Sequence, residues 1–407
     1  MSSCPKCPVC SDSNLQKILS YDEFPFFTVP VSSFRKEDIL KRYLPNKLSA
    51  PLHMQVCNKC NHCFLDPVPN QEIIDDLYSN FYSYPSPLKE QFKPERDDRF
   101  LEYFEKEISP LTKNKKQTNI LEVGCYDGYI LHQLNKAGYE VMGCDPSEGA
   151  EIGKEHGINI LREFFDAEEF HNNNLTFDII ISRHFIEHVI NPVNWVSELS
   201  KILNLGGYIL LEVPNIQFYL SKGLLEVFSL QHLHGFSLTS ISYVLNEAGM
   251  RCIKTEQTPE NLIVVASENG QQEDTNINEW TDIVSNFNNQ FSRKKIDIKS
   301  TLKKYIDDNK KIGMWGAGGF GIAALISYEI PSKHISFIID SDKQKWGMEY
   351  LNYSIPIISP EQGKENQPDL LIVSSYYSQS IINQIQEMKF NSSVLIIFPD
   401  VKLIESN

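Results

Sequence analysis

The sequence predicts an α/β protein in which a small cysteine-rich module precedes two doubly wound, Rossmann-like sheets. Three observations carry this prediction: two CxxC motifs near the start, a strand–helix alternation from about residue 119, and a second, shorter alternation from about residue 311. A chain that alternates strands with helices forms a parallel sheet with helices on both faces. At 407 residues the chain exceeds one ordinary hydrophobic core, so several domains are expected.

The overall composition is that of a globular protein, with 41 % hydrophobic and 22 % charged residues. The formal net charge of −15 repels a phosphate backbone, which argues against nucleic-acid binding. No apolar run approaches the roughly 18–20 residues that span a bilayer, and the start lacks a basic segment followed by an apolar one. We therefore expect no membrane partner and a cytoplasmic location.

Six of the nine cysteines form two clusters near the start, each with a CxxC knuckle, at 7–10 and 57–60. This spacing lets two thiolates reach one ion from a tight turn, and two knuckles complete a tetrahedral site. Four thiolates leave no open coordination position, so we expect a structural zinc ion. The expected ligands are Cys7, Cys10, Cys57 and Cys60. Cys4 and Cys63 extend the clusters in the same register and are alternative ligands.

A second metal-like pattern, His184-Phe-Ile-Glu187-His188, matches the HxxEH motif of inverted zinc peptidases. It directly follows the apolar strand FDIIIS, and no downstream acidic third ligand stands out. We therefore interpret these residues as part of a sheet edge and not as a metal site.

Shifts in composition divide the chain into three regions. Residues 1–85 hold the cysteine clusters and many aromatic side chains, with helical periodicity only around 70–80. Residues 86–270 begin with an amphipathic stretch and a basic connector. Residues 271–407 begin with a polar linker and a helix to about Asp308. We expect one domain in each region.

The middle region carries the first alternation. Its predicted strands are NILEV, EVMGCD, INIL, FDIIIS and GYILLEV, and its predicted helices are GYILHQLNKAG, EGAEIGKEHG and a segment at 191–203. The last region repeats the pattern. Its predicted strands are KIGMWG, HISFIID, DLLIVSS and SVLIIFP, with helices at 320–328 and 378–388.

The first strand of the middle region ends in Glu122-Val-Gly124 and leads directly into a helix. Glycine at 124 lets the backbone approach a ligand without a Cβ clash, and the helix N-terminus offers free N–H groups. Asp145 ends the second strand, where a carboxylate can accept both ribose hydroxyls of a nucleotide. Residues 125–127 are too large for a dinucleotide fingerprint. A nucleotide-like ligand fits, with a dehydrogenase-type Rossmann domain as the alternative.

The second alternation opens with a complete GxGxxG, formed by Gly316, Gly318 and Gly321, and Asp340 ends the next strand. After a strand, such a loop can hold the diphosphate of a nucleotide substrate against the helix N-terminus. The alternative is a Rossmann-shaped lid whose glycines only pack the helix on the strand.

Two histidines, His232 and His234, follow the fifth strand of the middle region, on the ligand side of the sheet. Imidazole is the usual general base near neutral pH, so His232 is the candidate base and His234 the second choice. Ser237 is placed as the N-cap of the helix that follows.

The arrangement over roughly residues 115–268 resembles the class I S-adenosylmethionine methyltransferases. In that class the acid-x-Gly motif lies under the methionine moiety of the cofactor, and the acid after the second strand holds the ribose. By this resemblance the cofactor-binding residues are Glu122, Gly124, Asp127, Gly128, Asp145, Pro146, Phe165, Ser182 and Arg183, with Asp166 as an alternative to Phe165 at the adenine.

Over essentially the full chain, the motifs resemble the three-domain nucleotide-sugar C-methyltransferases of deoxysugar pathways. The segments that carry this resemblance are CPVC, CNKC, EVGCYDGY, GCDPSEG, LQHLHGFS, WGAGGFG, IDSDKQKWG and IPIISPE. In that family a structural-zinc domain precedes the methyltransferase domain, and a Rossmann-like domain helps to enclose a nucleotide-linked 4-keto-6-deoxyhexose. The carbon beside the ketone is deprotonated, and the resulting enolate attacks the methyl group.

Residue by residue, His232 matches the base in the family's Tyr-Asp-Glu-His motif, whereas Ser229 and Gln231 stand at the tyrosine and glutamate positions. Gln231 can still hydrogen-bond the substrate. The role of the missing phenol is expected to pass to Tyr82 or Tyr84, because the family also has tyrosines near the sugar there. Packing between the first two domains is the alternative role of both tyrosines.

Two further segments depart from the family. The segment at 258–266, TPENLIVVA, stands where the family usually has a His-Gly-Gly turn, and Phe320 stands where it more often has a lysine. The first hypothesis is nevertheless S-adenosylmethionine-dependent C-methylation of a nucleotide-activated sugar. The alternatives are O-methylation or methylation of another small metabolite, and an NAD(P)-dependent oxidoreductase that uses the C-terminal GxGxxG. The oligomeric state stays open between monomer and dimer.

Overall fold

The computed structural model describes residues 5–43, 48–81, 86–90, 95–112, 114–225, 227–275 and 280–406. Its strands, in chain order, are β1 Leu15–Pro25, β2 Ser49–Cys57, β3 Cys63–Leu65, β4 Asn119–Val123, β5 Glu140–Cys144, β6 Ile160–Leu161, β7 Phe177–Arg183, β8 Leu203–Pro214, β9 His234–Gly235, β10 Arg251–Gln257, β11 Asn261–Ser267, β12 Ile312–Trp315, β13 Ile335–Ile339, β14 Ile357–Ile358, β15 Leu370–Val373, β16 Ser393–Ile396 and β17 Lys402–Ile404.

The α-helices are α1 Ser33–Arg42, α2 Gln71–Asp76, α3 Pro87–Glu90, α4 Glu95–Tyr103, α5 Tyr129–Lys136, α6 Gly149–Glu155, α7 Ala167–Asn172, α8 Pro192–Lys201, α9 Ile216–Ser221, α10 Leu238–Glu247, α11 Trp280–Asp307, α12 Gly319–Ser327, α13 Pro360–Glu365 and α14 Ser378–Glu387. A π-helical turn, Leu77–Phe81, continues α2.

A seven-stranded sheet has the order β10-β11-β8-β7-β4-β5-β6. The strands from β6 to β8 are parallel, whereas β11 runs antiparallel to both β8 and β10. Each strand predicted between residues 119 and 214 is present within a few residues, and so are the three predicted helices α5, α6 and α8. β10 and β11 go beyond the predicted elements. The topology confirms the predicted doubly wound sheet.

Both faces of this sheet are buried, which explains why its strands are nearly continuous apolar runs. One core contains side chains such as Leu121, Ile180 and Val264, and the other contains Ile120, Ile179 and Val265. The first of these cores also includes Cys57 and Cys60 and the aromatic ring of Phe64. The cysteine module and the sheet therefore share one core.

A six-stranded sheet has the order β14-β13-β12-β15-β16-β17. Its strands are parallel except for β17, which runs antiparallel to β16. This is the second alternation predicted from the sequence, with α12 and α14 at the predicted places. The two buried faces carry separate cores, one around Met314 and Ile372 and one around Trp315 and Val373.

A four-stranded sheet has the order β1-β2-β3-β9. The chain divides into two compact units. The first unit comprises Met1–Gln16, Gln55–Asn215 and Leu233–Asn278, and the second comprises Lys17–Met54, Ile216–His232 and Glu279–Asn407. Both units are thus discontinuous in sequence. The predicted domain boundaries at 85/86 and 270/271 remain a prediction.

Candidate active site

A cleft of about 310 Å³ lies at the carboxyl ends of β4, β5 and β7 in the first unit. The order of strands reverses between β4 and β7, and ligands of open α/β sheets bind at such a switch point. Four of the residues predicted to bind a cofactor line this cleft. They are Gly124, Asp145, Pro146 and Phe165.

Gly124 forms the turn between β4 and the cleft. Its φ of +79° lies in the left-handed region, and a Cβ there would be 2.5 Å from Cδ2 of Phe185. Only glycine meets both conditions without strain. The sequence predicts glycine here because it lets a ligand approach the backbone at the end of the first strand. The packing of Phe185 against Gly124 is a second reason for glycine at this position.

Asp145 follows β5 and is 9 % exposed. One carboxylate oxygen accepts the backbone N–H of Tyr126 at 2.8 Å, and the other accepts the N–H and hydroxyl of Ser147. These contacts fix the carboxylate at the cleft wall. Each carboxylate oxygen has two lone pairs, so Oδ1, which accepts twice, is saturated, and Oδ2 keeps one lone pair for a ligand.

Three aromatic rings form one end of the cleft. Trp195 stacks on Phe185 with ring centroids 4.8 Å apart, and Phe165 contacts the Trp195 ring edge-on at 5.1 Å. The Nε1 donor of Trp195 is buried without a hydrogen-bond partner among the described residues. A flat heterocycle with a ring acceptor would fit this end. Of the two residues predicted at the adenine, Phe165 lies here, whereas Asp166 caps α7 through the N–H of Glu168.

Glu122 and Ser182 are the second-last residues of β4 and β7, and both are buried. Oε2 of Glu122 and the hydroxyl of Ser182 have no hydrogen-bond partner among the described residues. Burial raises the pKa of Glu122 to about 8, and the nearby Arg183 only partly opposes that shift. Unsatisfied buried acceptors of this kind favour a ligand with a donor or positive charge.

Arg183 is held within the protein. Its guanidinium donates to Asp97 at 2.8 Å and to Glu212 at 2.6 Å, and it lies 4.3 Å from the centre of the Phe100 ring. Burial alone would raise the pKa of Glu212, but Arg183 lowers it. Arg183 thus supports the carboxyl ends of β7 and β8 through two of its five N–H donors.

Asp127 and Gly128 begin α5. Asp127 is buried and accepts from the hydroxyl of Ser86 at 2.6 Å and from the N–H groups of Leu88 and Tyr129. Gly128 is the N-cap residue, with a φ of +72°. These contacts make Asp127 a link between α5 and the segment at 86–88.

Two non-glycine residues with positive φ, Tyr126 at 49° and His184 at 48°, line the cleft. Strained backbone of this kind is concentrated at functional sites. His188 also lines the cleft, and its Nδ1 lies 3.0 Å from the hydroxyl of Tyr78. The HxxEH pattern therefore brings both of its imidazoles to the cleft. Trp195, Phe185 and Tyr78 are site residues that sequence reasoning missed.

The predicted base, His232, belongs to the second unit and is half-buried. Its Nδ1 lies 2.7 Å from the carbonyl oxygen of Val227, and its backbone N–H donates to the Ser229 hydroxyl. Gln231 is 2 % exposed and donates through its amide to the carbonyl of Phe26 at 2.8 Å. Ser229 and Gln231 thus stabilise the turn that contains His232.

The remaining predicted catalytic residues are placed as follows. Tyr82 and Tyr84 lie outside the described residues. His234, the second choice of base, is 5 % exposed, and both of its ring nitrogens lie within 3.0 Å of partners in the first unit. Ser237 caps α10 in a reciprocal capping box with Ser240, as predicted.

The C-terminal glycine loop connects β12 to α12 in the second unit. A Cβ on Gly318 would meet nothing within 4 Å, and its φ is negative. Neither packing nor conformation requires that glycine, which is consistent with a close approach by a ligand. Gly316 has a φ of +113°, and a Cβ on Gly321 would lie 2.4 Å from the Gly316 carbonyl. Asp340 accepts from the Ala317 N–H at 2.8 Å and also pairs with Lys345.

The four predicted zinc ligands form one cluster. Their sulfur atoms all lie within 4.8 Å of one another, with Cys7 and Cys60, and likewise Cys10 and Cys57, 3.5 Å apart. A tetrahedral zinc site with Zn–S bonds of about 2.3 Å has sulfur separations of roughly 3.8 Å, so the cluster fits. Ser11 and Asn61, with positive φ, close the two knuckles. Cys63 lies in β3, and Cys4 is outside the described residues.

Within the described part of the chain, none of the helices has both the length and the apolar character that crossing a bilayer requires.

Comparison with known families identifies two adjoining domains. Residues 95–255 match the family model described as "Methyltransferase domain", and residues 250–399 match the one described as "C-methyltransferase C-terminal domain". The chain is therefore a methyltransferase of the class I S-adenosylmethionine-dependent fold. It joins this catalytic domain to a C-methyltransferase C-terminal domain.

Individual relatives agree with this assignment. The C-methyltransferase NovU of Streptomyces niveus is 22 % identical over 309 residues, which cover 70 % of this chain and 74 % of that protein. The ubiquinone biosynthesis O-methyltransferase of Coxiella burnetii is 30 % identical over 123 residues, or 29 % of this chain. The chain spans only about half of that O-methyltransferase, 50 % of its length.

Among solved structures, magnesium protoporphyrin IX methyltransferase (ChlM) from Synechocystis PCC 6803 with bound SAH superposes with a TM-score of 0.37 at 13 % sequence identity. The superposition covers 48 % of this chain and 99 % of that one.

Proposed function

We propose that this methyltransferase transfers a methyl group to a carbon atom of a nucleotide-linked 4-keto-6-deoxy sugar, with a histidine as the base that forms the enolate. The observation that carries the proposal is the joining of the cleft domain to a C-methyltransferase C-terminal domain. A cytoplasmic location and a small-molecule acceptor are part of the proposal.

The cleft supports the cofactor half of this proposal. Asp145 has the position to accept a ribose hydroxyl through the remaining lone pair of Oδ2, and the Phe165 and Trp195 rings suit an adenine. The unpartnered Oε2 of Glu122 suits the ammonium of the methionine moiety, whose positive charge would lower the pKa that burial raises in the free chain. When bound, S-adenosylmethionine supplies an electrophilic methyl group, which is the partner that an enolate carbon requires.

The part of the proposal that concerns the methyl acceptor requires a base, and we propose an imidazole. A ketone acidifies the adjacent C–H bond, and a base with a pKa near neutrality removes that proton most efficiently. We propose His232 for this role, with Gln231 and Ser229 holding its turn and with Tyr82 or Tyr84 supplying the phenol. His188 is the second candidate, because it lines the cleft and hydrogen-bonds Tyr78.

The C-terminal glycine loop is proposed to hold the nucleotide diphosphate. The open space at Gly318 supports this role, because oxygen atoms of a diphosphate can approach the backbone there. Asp340 supports it indirectly, because its carboxylate holds the loop at Ala317. The match of residues 95–255 to a methyltransferase domain argues against the oxidoreductase alternative, in which that domain is degenerate.

We also propose that the cluster of Cys7, Cys10, Cys57 and Cys60 holds a structural zinc ion. Its fit to tetrahedral geometry supports this proposal. With all four positions filled by thiolates, the ion would stabilise the fold and take no part in the reaction.

O-methylation is the second candidate function. The Coxiella burnetii O-methyltransferase is 30 % identical over 123 residues, and NovU is 22 % identical over 309 residues. Ser229 and Gln231, which depart from the C-methyltransferase motif, also favour O-methylation.

One experiment separates the two functions. The purified chain is incubated in heavy water with S-adenosylmethionine and a panel of nucleotide-linked 4-keto-6-deoxyhexoses, and the products are read by mass spectrometry and NMR. C-methylation gives a methyl group on a sugar carbon and deuterium beside the ketone in unmethylated substrate. A methyl ether without deuterium uptake shows O-methylation. No methylated sugar, with cofactor binding intact, overturns the sugar substrate.

A further inference from the structure

A short segment of the first unit connects the cysteine cluster with the wall of the cleft. β9 pairs antiparallel with β3, so that His234 lies opposite Phe64 and Gly235 opposite Cys63. Just before it, the carbonyl of Leu233 accepts the N–H of Leu65 at 2.9 Å. The backbone of β9 is thereby fixed to the strand that follows the second cysteine knuckle.

The His234 side chain extends from β9 to the cleft. Its Nε2 lies 2.9 Å from the carbonyl oxygen of Val189, a cleft-lining residue. A carbonyl oxygen only accepts, so Nε2 carries the proton and donates. Burial lowers the pKa of His234 to about 4, which keeps the ring neutral with Nδ1 free to accept.

The partner of Nδ1 is a second buried histidine. Nε2 of His62 lies 3.0 Å from His234 Nδ1 and is the donor required by this tautomer. His62 is fully buried, and its own carbonyl accepts the N–H of Cys57 at 2.8 Å. The neighbouring carbonyl of Asn61 accepts from the Ser237 hydroxyl at 3.1 Å. The hydrogen-bonded pair is therefore anchored on the second cysteine knuckle.

We propose that His234 is a positioning residue of the active site. Supported by His62, it holds the carbonyl of Val189 and thereby sets the position of His188, the adjacent residue on the cleft wall. Nδ1 of His188 in turn lies 3.0 Å from the hydroxyl of Tyr78, and both residues line the cleft. The cysteine cluster then contributes to the geometry of the cleft as well as to the stability of the fold.

The alternative is that the pair only fills space. The His62 ring packs against Phe64, Phe236 and His234 with ring centroids 5.0–6.0 Å apart, so an apolar ring would fit equally well there. Burying two imidazoles carries a desolvation cost that an aromatic pair avoids. A directed hydrogen bond to the cleft wall is the gain that offsets this cost.

Three variants of the full-length, metal-loaded chain test the proposal. His234→Leu removes the donor to Val189, His234→Gln keeps an N–H at the ε position, and Phe236→Leu is the matched control. Phe236 is equally buried and contacts both histidine rings, but its side chain makes no hydrogen bond to the cleft wall. The readouts are the Kd for S-adenosylhomocysteine and the ¹⁵N signals of the His188 ring, assigned with His188→Gln.

We expect His234→Leu to weaken S-adenosylhomocysteine binding about 5- to 30-fold, the equivalent of losing one net hydrogen bond with its unsatisfied partner. The His188 signals should shift in His234→Leu and return in His234→Gln. Phe236→Leu should lower the melting temperature without changing Kd or the His188 signals. Unchanged Kd and unchanged His188 signals in His234→Leu overturn the proposal, and so do equal changes in Phe236→Leu.

The proposal rests on the cleft being the cofactor site, and the two can fail separately. If the unmodified chain does not bind S-adenosylhomocysteine, the site assignment fails. If it binds and His234→Leu binds equally well with unshifted His188 signals, only the positioning role fails.

Discussion

The carboxylate of Asp145 accepts the backbone N–H of Tyr126 at 2.8 Å, which ties the loop after β4 to the end of β5. Tyr126 occupies this loop with a positive φ, a conformation that costs free energy for a residue with a side chain. The hydrogen bond therefore stabilises a strained loop and orients the carboxylate in one step. A ligand that binds Asp145 meets a site that is already ordered.

Replacing Asp145 tests its assignment to the ribose. Asp145→Asn keeps one acceptor for Tyr126 but loses the charge that strengthens bonds to ribose hydroxyls. A charge-assisted hydrogen bond contributes about 1.5–3 kcal/mol, so we expect S-adenosylhomocysteine to bind roughly 10- to 100-fold more weakly by titration calorimetry. Asp166→Asn is the control, because asparagine caps α7 as well as aspartate does. Equal weakening in both variants would contradict the assignment.

The indole of Trp195 should report cofactor binding directly. Trp195→Phe keeps an aromatic ring on Phe185 but removes the buried, unpartnered Nε1–H. We expect roughly a 5- to 10-fold weaker Kd for S-adenosylhomocysteine and loss of most of the fluorescence change on binding. Trp280→Phe is a matched control, because Trp280 is another buried indole with an unpartnered Nε1 among the described residues. If Trp280→Phe alone removes the fluorescence change, the aromatic end of the cleft is not the adenine site.

The sequence could place Gly124 and Asp145 together because both follow buried strands directly, and the carboxyl ends of parallel strands meet at one edge, where both residues line the cleft. Trp195 and Tyr78 could not be found in the same way. Trp195 lies within α8 and Tyr78 in the π-turn after α2, and their approach to the cleft depends on how those helices pack. The HxxEH motif did draw attention to His188, but as a possible metal ligand and not as a residue of this cleft.

The division into compact units was also beyond the sequence. Segments 17–54 and 216–232 group with the C-terminal sheet, although the composition places each of them with its neighbours in sequence. Such grouping comes from contacts between residues far apart in the chain, which periodicity does not encode. β11 differs, because its apolar run NLIVVAS is a usable strand signal in the sequence.

The free energy of unfolding should decrease as the pH rises, because Glu122 is buried. Burial raises its pKa from the ordinary value of 4.5 to about 8. Between those values the folded chain binds the proton more tightly than the unfolded chain, so this contribution is fully present below pH 4.5 and is lost toward pH 8. The free energy of unfolding should therefore decrease by up to about 1.4 kcal/mol per pH unit in that window, measured by urea unfolding.

Glu122→Gln isolates this effect. The amide does not titrate, so the variant should lose this pH dependence and exceed the unmodified chain in stability at pH 8. Glu151→Gln, at an exposed position on α6, should leave the slope unchanged. The same slope in Glu122→Gln and in the unmodified chain would show that Glu122 is ionised in the folded state.

Metal content should follow the four-cysteine cluster. We expect one zinc ion per chain by elemental analysis and its loss in Cys57→Ser, with a melting temperature roughly 5–10 °C lower. Cys63→Ser, which alters a buried cysteine of β3 outside the cluster, should retain the ion. Loss of zinc in Cys63→Ser with retention in Cys57→Ser would favour the alternative ligand set.

Two substitutions decide whether His232 or His188 is the base. His232→Asn and His188→Asn each remove one imidazole, and a general base contributes typically 10²- to 10⁴-fold to proton transfer. We expect His232→Asn to lower the rate of deuterium exchange beside the sugar ketone by that factor, measured by NMR without S-adenosylmethionine present. His188→Asn should lower it far less. The Val227 carbonyl only accepts, so Nδ1 of His232 carries the proton and its Nε2 is left to accept one, whereas the Tyr78 hydroxyl can donate or accept and does not fix the tautomer of His188. The affinity for S-adenosylhomocysteine and the zinc content are the controls, since a base acts on the acceptor and neither quantity should change in His232→Asn. The reverse ranking of the two exchange rates would transfer the role of base to the imidazole that lines the cleft.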